Sequence, residues 1–124
     1  MDCVFCNIIK DNKVIIAENE LAAAFYDNFP VSKGHTLIIP KRHVETYFDL
    51  NEEEMKAIFN LSQEVKKILT ELYKPDGYNV GFNVGADGGQ SVMHCHMHVI
   101  PRYNGDALNP RGGIRKVVKN DKKY

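Results

Sequence analysis

The chain carries no surplus of either charge: sixteen Lys and Arg balance sixteen Asp and Glu over 124 residues. Proteins that coat nucleic acid depend on excess positive charge, so that class is set aside and no nucleic-acid partner is expected. No apolar run approaches the ~20 residues needed to span a bilayer, which excludes a membrane-spanning helix. Met1 to Asn12 lacks a basic start followed by an apolar core, so no secretory signal is read there and the cytoplasm is the expected compartment. Cysteine is scarce and odd in number: three residues cannot all pair, and in a reducing compartment none needs to. Internal repeats and low-complexity stretches are also missing. What is present is an ordinary globular composition, 44% hydrophobic and 26% charged, long enough to close one hydrophobic core in a single domain.

The charge is unevenly placed. Pro101 to Tyr124 holds seven Lys or Arg against two acids. That segment reads either as a solvated basic tail or as a source of anion contacts from Arg102, Arg111 or Arg115. Gly, Asn and Pro are frequent from Asn104 onward, which predicts an irregular tail over 107–124, packed on or near a domain spanning 1–106.

Val14–Ile16 and Leu21–Tyr26, with Glu18-Asn19-Glu20 between them, read as a hairpin. His35–Ile39 reads as a short apolar strand, opened by Lys33-Gly34 and stopped by Pro40. Asn51 can cap a long helix, with Glu54 three residues on to answer it. Met55, Ile58, Leu61, Val65, Ile68 and Leu72 form its apolar stripe, and Lys74-Pro75-Asp76-Gly77 ends it. Tyr78–Val84 alternates as a half-buried strand, Ala86-Asp87-Gly88-Gly89 is a turn, and Val92–Ile100 is the next strand. Strands joined by tight turns, with one long helix on one face, predict an antiparallel α+β domain.

Three of the five histidines fall within five residues. Successive side chains on a strand point to opposite faces, so His94, His96 and His98 would line one face and Cys95, Met97 and Val99 the other. The second face is apolar and suits the helix stripe, leaving three imidazoles on an open face about 6.5–7 Å apart. Satisfied, half-buried histidines are one explanation. A three-histidine metal site is another, but imidazoles spread along a strand do not converge on one ion, which needs nitrogen about 2 Å away. Nucleophilic attack on phosphorus is the third. An imidazole with a pKa near ~6.5 is largely unprotonated at neutral pH, and a neighbouring histidine can serve the phosphoryl oxygens or the leaving group. Gly88-Gly89-Gln90-Ser91 would add backbone approach and donors for a phosphate.

His94-Cys95-His96-Met97-His98-Val99-Ile100 resembles the His-x-His-x-His-x-x signature of the histidine triad (HIT) superfamily. Phe25-Tyr26-Asp27, Gly34-His35-Thr36-Leu37-Ile38-Ile39-Pro40, Asn83 and Gly89-Gln90-Ser91-Val92 resemble the family's other blocks in the right order, and the likeness covers roughly Asp2 to Asp106. The resemblance implies a five-stranded antiparallel sheet with one long and one short helix, in a twofold homodimer with one continuous sheet. It implies an enzyme in which His96 attacks the α-phosphorus of a nucleotide, giving a nucleotidyl-histidine that water hydrolyses. His98 would bind phosphate oxygens and assist the leaving group, and His35 would be the fourth histidine of a catalytic set that includes His94. Asn83, Gln90 and Ser91 would contact phosphate and ribose, Asp27 the ribose hydroxyls, and Val4, Phe5, Ile8 and Phe25 the base. Asp27 is equally suited to a turn before Asn28-Phe29-Pro30, and Phe5 and Ile8 to plain core.

Zinc-bearing members of the superfamily use a set similar to Cys3, Cys6, His43 and His94, so the resemblance also implies a structural zinc, with His94 positioning the chain instead of acting as a base. The alternative is that Cys3 and Cys6 merely pack and His43 caps a turn. As to substrate, Val31-Ser32-Lys33-Gly34-His35, Phe48-Asp49-Leu50 and Pro101-Arg102 look like the branch that hydrolyses dinucleoside polyphosphates of the diadenosine tetraphosphate type. The purine nucleoside phosphoramidase branch commonly has Gly-Gly after the triad and a C-terminal tryptophan, whereas this chain has Pro101-Arg102 and no tryptophan. Phosphorolysis, and a nucleotide-binding regulator without turnover, complete the readings. The Lys10–Lys13 connection and the Asn109-Pro110-Arg111-Gly112-Gly113 tail depart from both branches.

Overall fold

The computed structural model describes residues 2–118; the remainder of the basic tail, 119–124, lies outside the described residues. In chain order the elements are α1 (Val4–Asp11), β1 (Ile15–Glu18), β2 (Ala22–Tyr26), β3 (Thr36–Pro40), α2 (Glu52–Tyr73), β4 (Gly77–Phe82) and β5 (Met97–Arg102). The strands form one five-stranded sheet in the order β1-β2-β3-β5-β4, antiparallel throughout. No helix among the described residues is long and apolar enough to cross a membrane.

Strand periodicity distributes the core onto both faces of the sheet. Ala22, Ala24, Ile38 and Val99 point to one side and pack with Ile58, Leu61, Val65 and Leu69 of α2. Ala23, Phe25, Leu37 and Ile39 point to the other and pack with Cys3 and with Phe5 of α1. The result is three layers, with the sheet between the two helices. Small side chains in Ala22-Ala23-Ala24, all fully buried, let α2 approach β2 closely.

The α2 start forms as its sequence predicts. Asn51 accepts from the Glu54 N–H at 2.8 Å, and the Glu54 carboxylate accepts from the Asn51 N–H at 3.0 Å. Its stripe differs from expectation at the C-terminal end. Leu69, not Ile68, takes the fully buried position, and Leu72 is 62% exposed. The last turn runs past the sheet, and the inward place goes to Tyr73, which meets Tyr26 edge-on at 6.3 Å. Tyr73 also explains Gly34, where a Cβ would lie 2.8 Å from the tyrosine ring and φ is +88°. Ile58→Ala should therefore cost about 2–5 kcal/mol in urea unfolding, while Leu72→Ala should stay within about 0.5 kcal/mol. Equal losses at the two positions would contradict this packing.

The predicted strand Val92–Ile100 is shorter than expected at its start. Pairing with β3 begins only at Ile38↔Met97, and β5 runs from there to Arg102. Continuing the ladder would place Pro40, which has no N–H to donate, opposite this segment. Residues 92–96 bend away instead, the Cys95 N–H donating to Val44 O at 2.8 Å. His94 and His96 thus sit on irregular backbone, and only His98 lies in the strand. Nor is the histidine face open: α1 covers it, leaving His94 and His96 0% and 5% exposed. At the other end of the sheet β4 stops at Phe82, so Val84 falls outside the strand.

Candidate functional site

Under α1 the histidines divide into two groups. His94 belongs to the first, with Cys3, Cys6 and His43; their ligating atoms all lie within 4.8 Å of one another. Cys3 sits at the N-cap of α1, its sulfur accepting from the Cys6 N–H at 3.4 Å, so one turn of helix brings both sulfurs to one spot. His43 follows β3 on a segment pinned by Arg42, whose guanidinium donates to both Glu54 carboxylate oxygens at 2.9 and 2.7 Å. Hydrogen bonding to Arg42 holds the buried Glu54 carboxyl below the usual range. His94 Nε2 faces Pro40 O at 2.8 Å and must donate to it, which leaves the Nδ1 lone pair turned to the sulfurs.

The spacing permits a test for metal. With bonds of about 2.3 Å to sulfur and about 2.05 Å to nitrogen, tetrahedral zinc sets edges of about 3.3 Å between nitrogens and about 3.6 Å between nitrogen and sulfur. Here the nitrogen–nitrogen edge is 3.2 Å and three of the four nitrogen–sulfur edges are 3.3, 3.4 and 3.6 Å, with every ligating pair within 4.8 Å. The cluster is compatible with a metal ion, and two soft sulfurs with two imidazoles suit zinc. All three cysteines are free.

His96, His98 and His35 form the second group. His96 Nδ1 lies 2.9 Å from the His94 carbonyl oxygen, to which it can only donate, so Nε2 keeps its lone pair. The rings of His96 and His98 are 4.9 Å apart, closer than a straight strand would hold them, because the chain bends at His96. A second chain of hydrogen bonds sets the other two tautomers. The Val31 N–H donates to His35 Nδ1 at 3.1 Å, so the His35 proton is on Nε2, which donates to His98 Nδ1 at 3.0 Å. The remaining His98 proton must then sit on Nε2, a buried atom with no protein partner among the described residues. One imidazole lone pair and one N–H donor are therefore left without a protein partner among the described residues, on rings whose centres are 4.9 Å apart.

His96 and His98 both line one cavity of about 380 Å³, together with Val4, Phe5, Ile8, Phe25, Asp27 and Ser91, and with Asn28, Phe29, Leu37 and Val92 completing it. Of the residues expected at the catalytic and nucleotide sites, eight line this cavity and four do not: His94 belongs to the Cys/His cluster, and His35, Gln90 and Asn83 lie elsewhere. Gln90 is committed elsewhere: its amide donates to Glu45 O and Val92 O at 2.6 and 3.0 Å and accepts from the Gly85 N–H at 2.9 Å. No donor remains for a phosphate, so it braces the loop that carries Ser91. Asn83 lies in a neighbouring cavity beyond His98, with His35. Asp27 serves the turn as well as the cavity, its Oδ1 accepting from the Phe29 N–H at 2.9 Å and its Oδ2 lying 3.5 Å from His35 Nε2. Arg102 is engaged by Asp106 and Asn79 and offers no anion contact, while Arg111 and Arg115 are exposed on the tail. Phe29 escaped the sequence reading, although an aromatic between Asp27 and Pro30 was the available signal.

Burial pushes His98 down to about 4, with His96 and His35 adding to the effect, and burial also lowers His35 against the pull of Asp27. The unfolded imidazole titrates near 6.5. Between those values the unfolded chain takes up a proton that the folded chain refuses, so stability falls as pH drops from about 6.5 toward 4, at most about 1.4 kcal/mol per pH unit for each histidine. Above that window both states are neutral and the contribution vanishes. His98→Gln should flatten this acid limb in urea titrations; an unchanged slope would mean that His98 is not held neutral.

The HIT domain family model matches residues 10–105. The adenosine 5′-monophosphoramidase hnt1 of Schizosaccharomyces pombe is 42% identical over 106 residues, covering 84% of this chain and 77% of that protein. An AP-4-A phosphorylase of Mycobacterium tuberculosis is 33% identical over 95 residues, covering 76% of this chain but 49% of that protein. Among solved structures, a zinc-bound histidine triad protein from Mycobacterium smegmatis superposes with a TM-score of 0.79 at 36% identity, covering 88% of this chain and 81% of that one. The five-stranded antiparallel sheet, the paired histidine groups beneath α1 and these similarities lead to one conclusion: the chain belongs to the HIT, or histidine triad, family.

Proposed function

We propose that the protein is a nucleotide hydrolase that cleaves dinucleoside polyphosphates at the α-phosphorus through a nucleotidyl-His96 intermediate. The observation that carries this is the pairing of a bare His96 Nε2 with the unpartnered His98 Nε2–H. The Nε2 lone pair forms the N–P bond as the P–O bond to the leaving phosphate breaks, and the charge of the resulting imidazolium is met by the His94 carbonyl on Nδ1. Water then attacks phosphorus, the N–P bond breaks, AMP leaves, and the water's proton goes to the product phosphate or to solvent. Asp27 accepts from the ribose hydroxyls, Ser91 contacts phosphate, and Val4, Phe5, Ile8 and Phe25 enclose the base.

The state of His98 favours an anhydride. A neutral imidazole N–H steadies phosphoryl oxygens by hydrogen bonding but does not surrender its proton, and a phosphate leaving group needs none. An amine leaving group does need one. Phosphoramidate hydrolysis is nonetheless the second reading, favoured by the likeness to the S. pombe phosphoramidase. Zinc on Cys3, Cys6, His43 and His94 would supply a structural cross-link only, because protein groups fill all four positions. A twofold dimer with a continuous sheet would use an edge strand, and β4, with six residues against four in β1, is the longer edge. Incubation with diadenosine tetraphosphate and with an adenosine phosphoramidate, following AMP release, is the test. Faster release from the tetraphosphate supports the reading, the reverse order supports the second, and AMP binding without release from either would mark a regulator.

A further inference from the structure

Phe29 is 86% exposed, although it lines the same cavity as His96, His98, Asp27 and Ser91. A large apolar ring left in water is unfavourable unless something comes to cover it. Two buried aromatics line the same cavity: Phe5 and Phe25 meet edge-to-face at 5.4 Å. Phe29 is not a loose rim residue. Its N–H donates to Asp27 Oδ1 at 2.9 Å, and Pro30 restricts it to extended backbone. The other oxygen of the same carboxylate, Oδ2, lies 3.5 Å from His35 Nε2, and Asp27 lines the cavity with Phe29. The aromatic is thus set two residues from the group read above as the ribose anchor.

We infer that Phe29 closes over the outer face of the nucleobase, so that the base is held between this exposed ring and the Phe5–Phe25 wall. This rests on the cavity being a nucleotide site and adds the residue that ranks substrates by base. Stacking needs only a π-face, so it accepts any base but favours the larger area of a purine. Because Asp27 holds the Phe29 backbone, ribose recognition and base capping are mechanically joined.

Phe29 is exposed, so its replacement leaves the core intact. Phe29→Ala should raise the Kd for AMP about tenfold, while the Kd for ribose 5-phosphate, which has no base, stays within about twofold. Phe29→Trp would place a single tryptophan in a chain that has none; AMP should quench its fluorescence and ribose 5-phosphate should not. Wild-type binding of AMP with Phe29→Ala unaffected, or equal weakening of both ligands, overturns the inference alone. Failure of the wild type to bind AMP overturns the nucleotide reading and the inference with it.

Discussion

His96→Asn should abolish turnover, lowering kcat by at least about a thousandfold, while AMP affinity changes by no more than about threefold. The asymmetry follows from what the ring does. In the proposed reaction its Nε2 would form the bond to phosphorus, whereas base, ribose and phosphate oxygens would be met by other residues that line the cavity. Asparagine keeps a polar group of similar reach that can still donate toward the His94 carbonyl, so the bend at position 96 is preserved and only the nucleophile is lost. Quenching the wild type in alkali during turnover should reveal a protein heavier by one nucleotidyl group, with the adduct on His96. A variant that keeps most of its rate would move the covalent step to another residue. Loss of binding in parallel with rate would instead make His96 an anchor.

The second large effect concerns stability. Cys3→Ser, or removal of metal by a chelator, should lower the unfolding free energy by about 3 kcal/mol or more, a fall in Tm of about 10 °C. The metal would clamp α1 to the segment after β3 and to the bend before β5, two segments that the Cys95 N–H to Val44 O bond already joins to each other. Serine can still cap α1, and does so at least as well as cysteine, so the loss would report the metal and not the helix start. His43→Gln supplies an independent check, since His43 is exposed and has no part in the core. Activity measured well below the lowered Tm should persist, because His96 draws its tautomer from a backbone carbonyl. A Tm indifferent to Cys3→Ser, His43→Gln and chelation would exclude a structural metal. Equal loss of activity at unchanged Tm would place the cluster in the chemistry.

Several features were local enough to be written in the sequence. The α2 start needs only Asn51 and Glu54 three residues apart, and its core stripe needs only helical spacing. The His-x-His-x-His run announces a cluster of imidazoles whatever the backbone does, and Cys3-x-x-Cys6 brings two sulfurs together within one turn of α1. Such signals depend on neighbours within a few residues, so one dimension suffices to carry them. Other decisions belong to the fold, because they turn on groups far apart in the chain. Whether His94 and His96 lie in a strand was settled by Pro40, which cannot extend the ladder, and by Val44, which captures the Cys95 amide. Gln90 looks like a phosphate donor until Glu45 O and Val92 O claim its two hydrogens. Which nitrogen of His98 keeps a proton depends on Val31 and on His35, the latter 63 positions upstream. Residue types set what chemistry this chain can perform; the partners that each polar group finds in three dimensions set which atom is free to perform it.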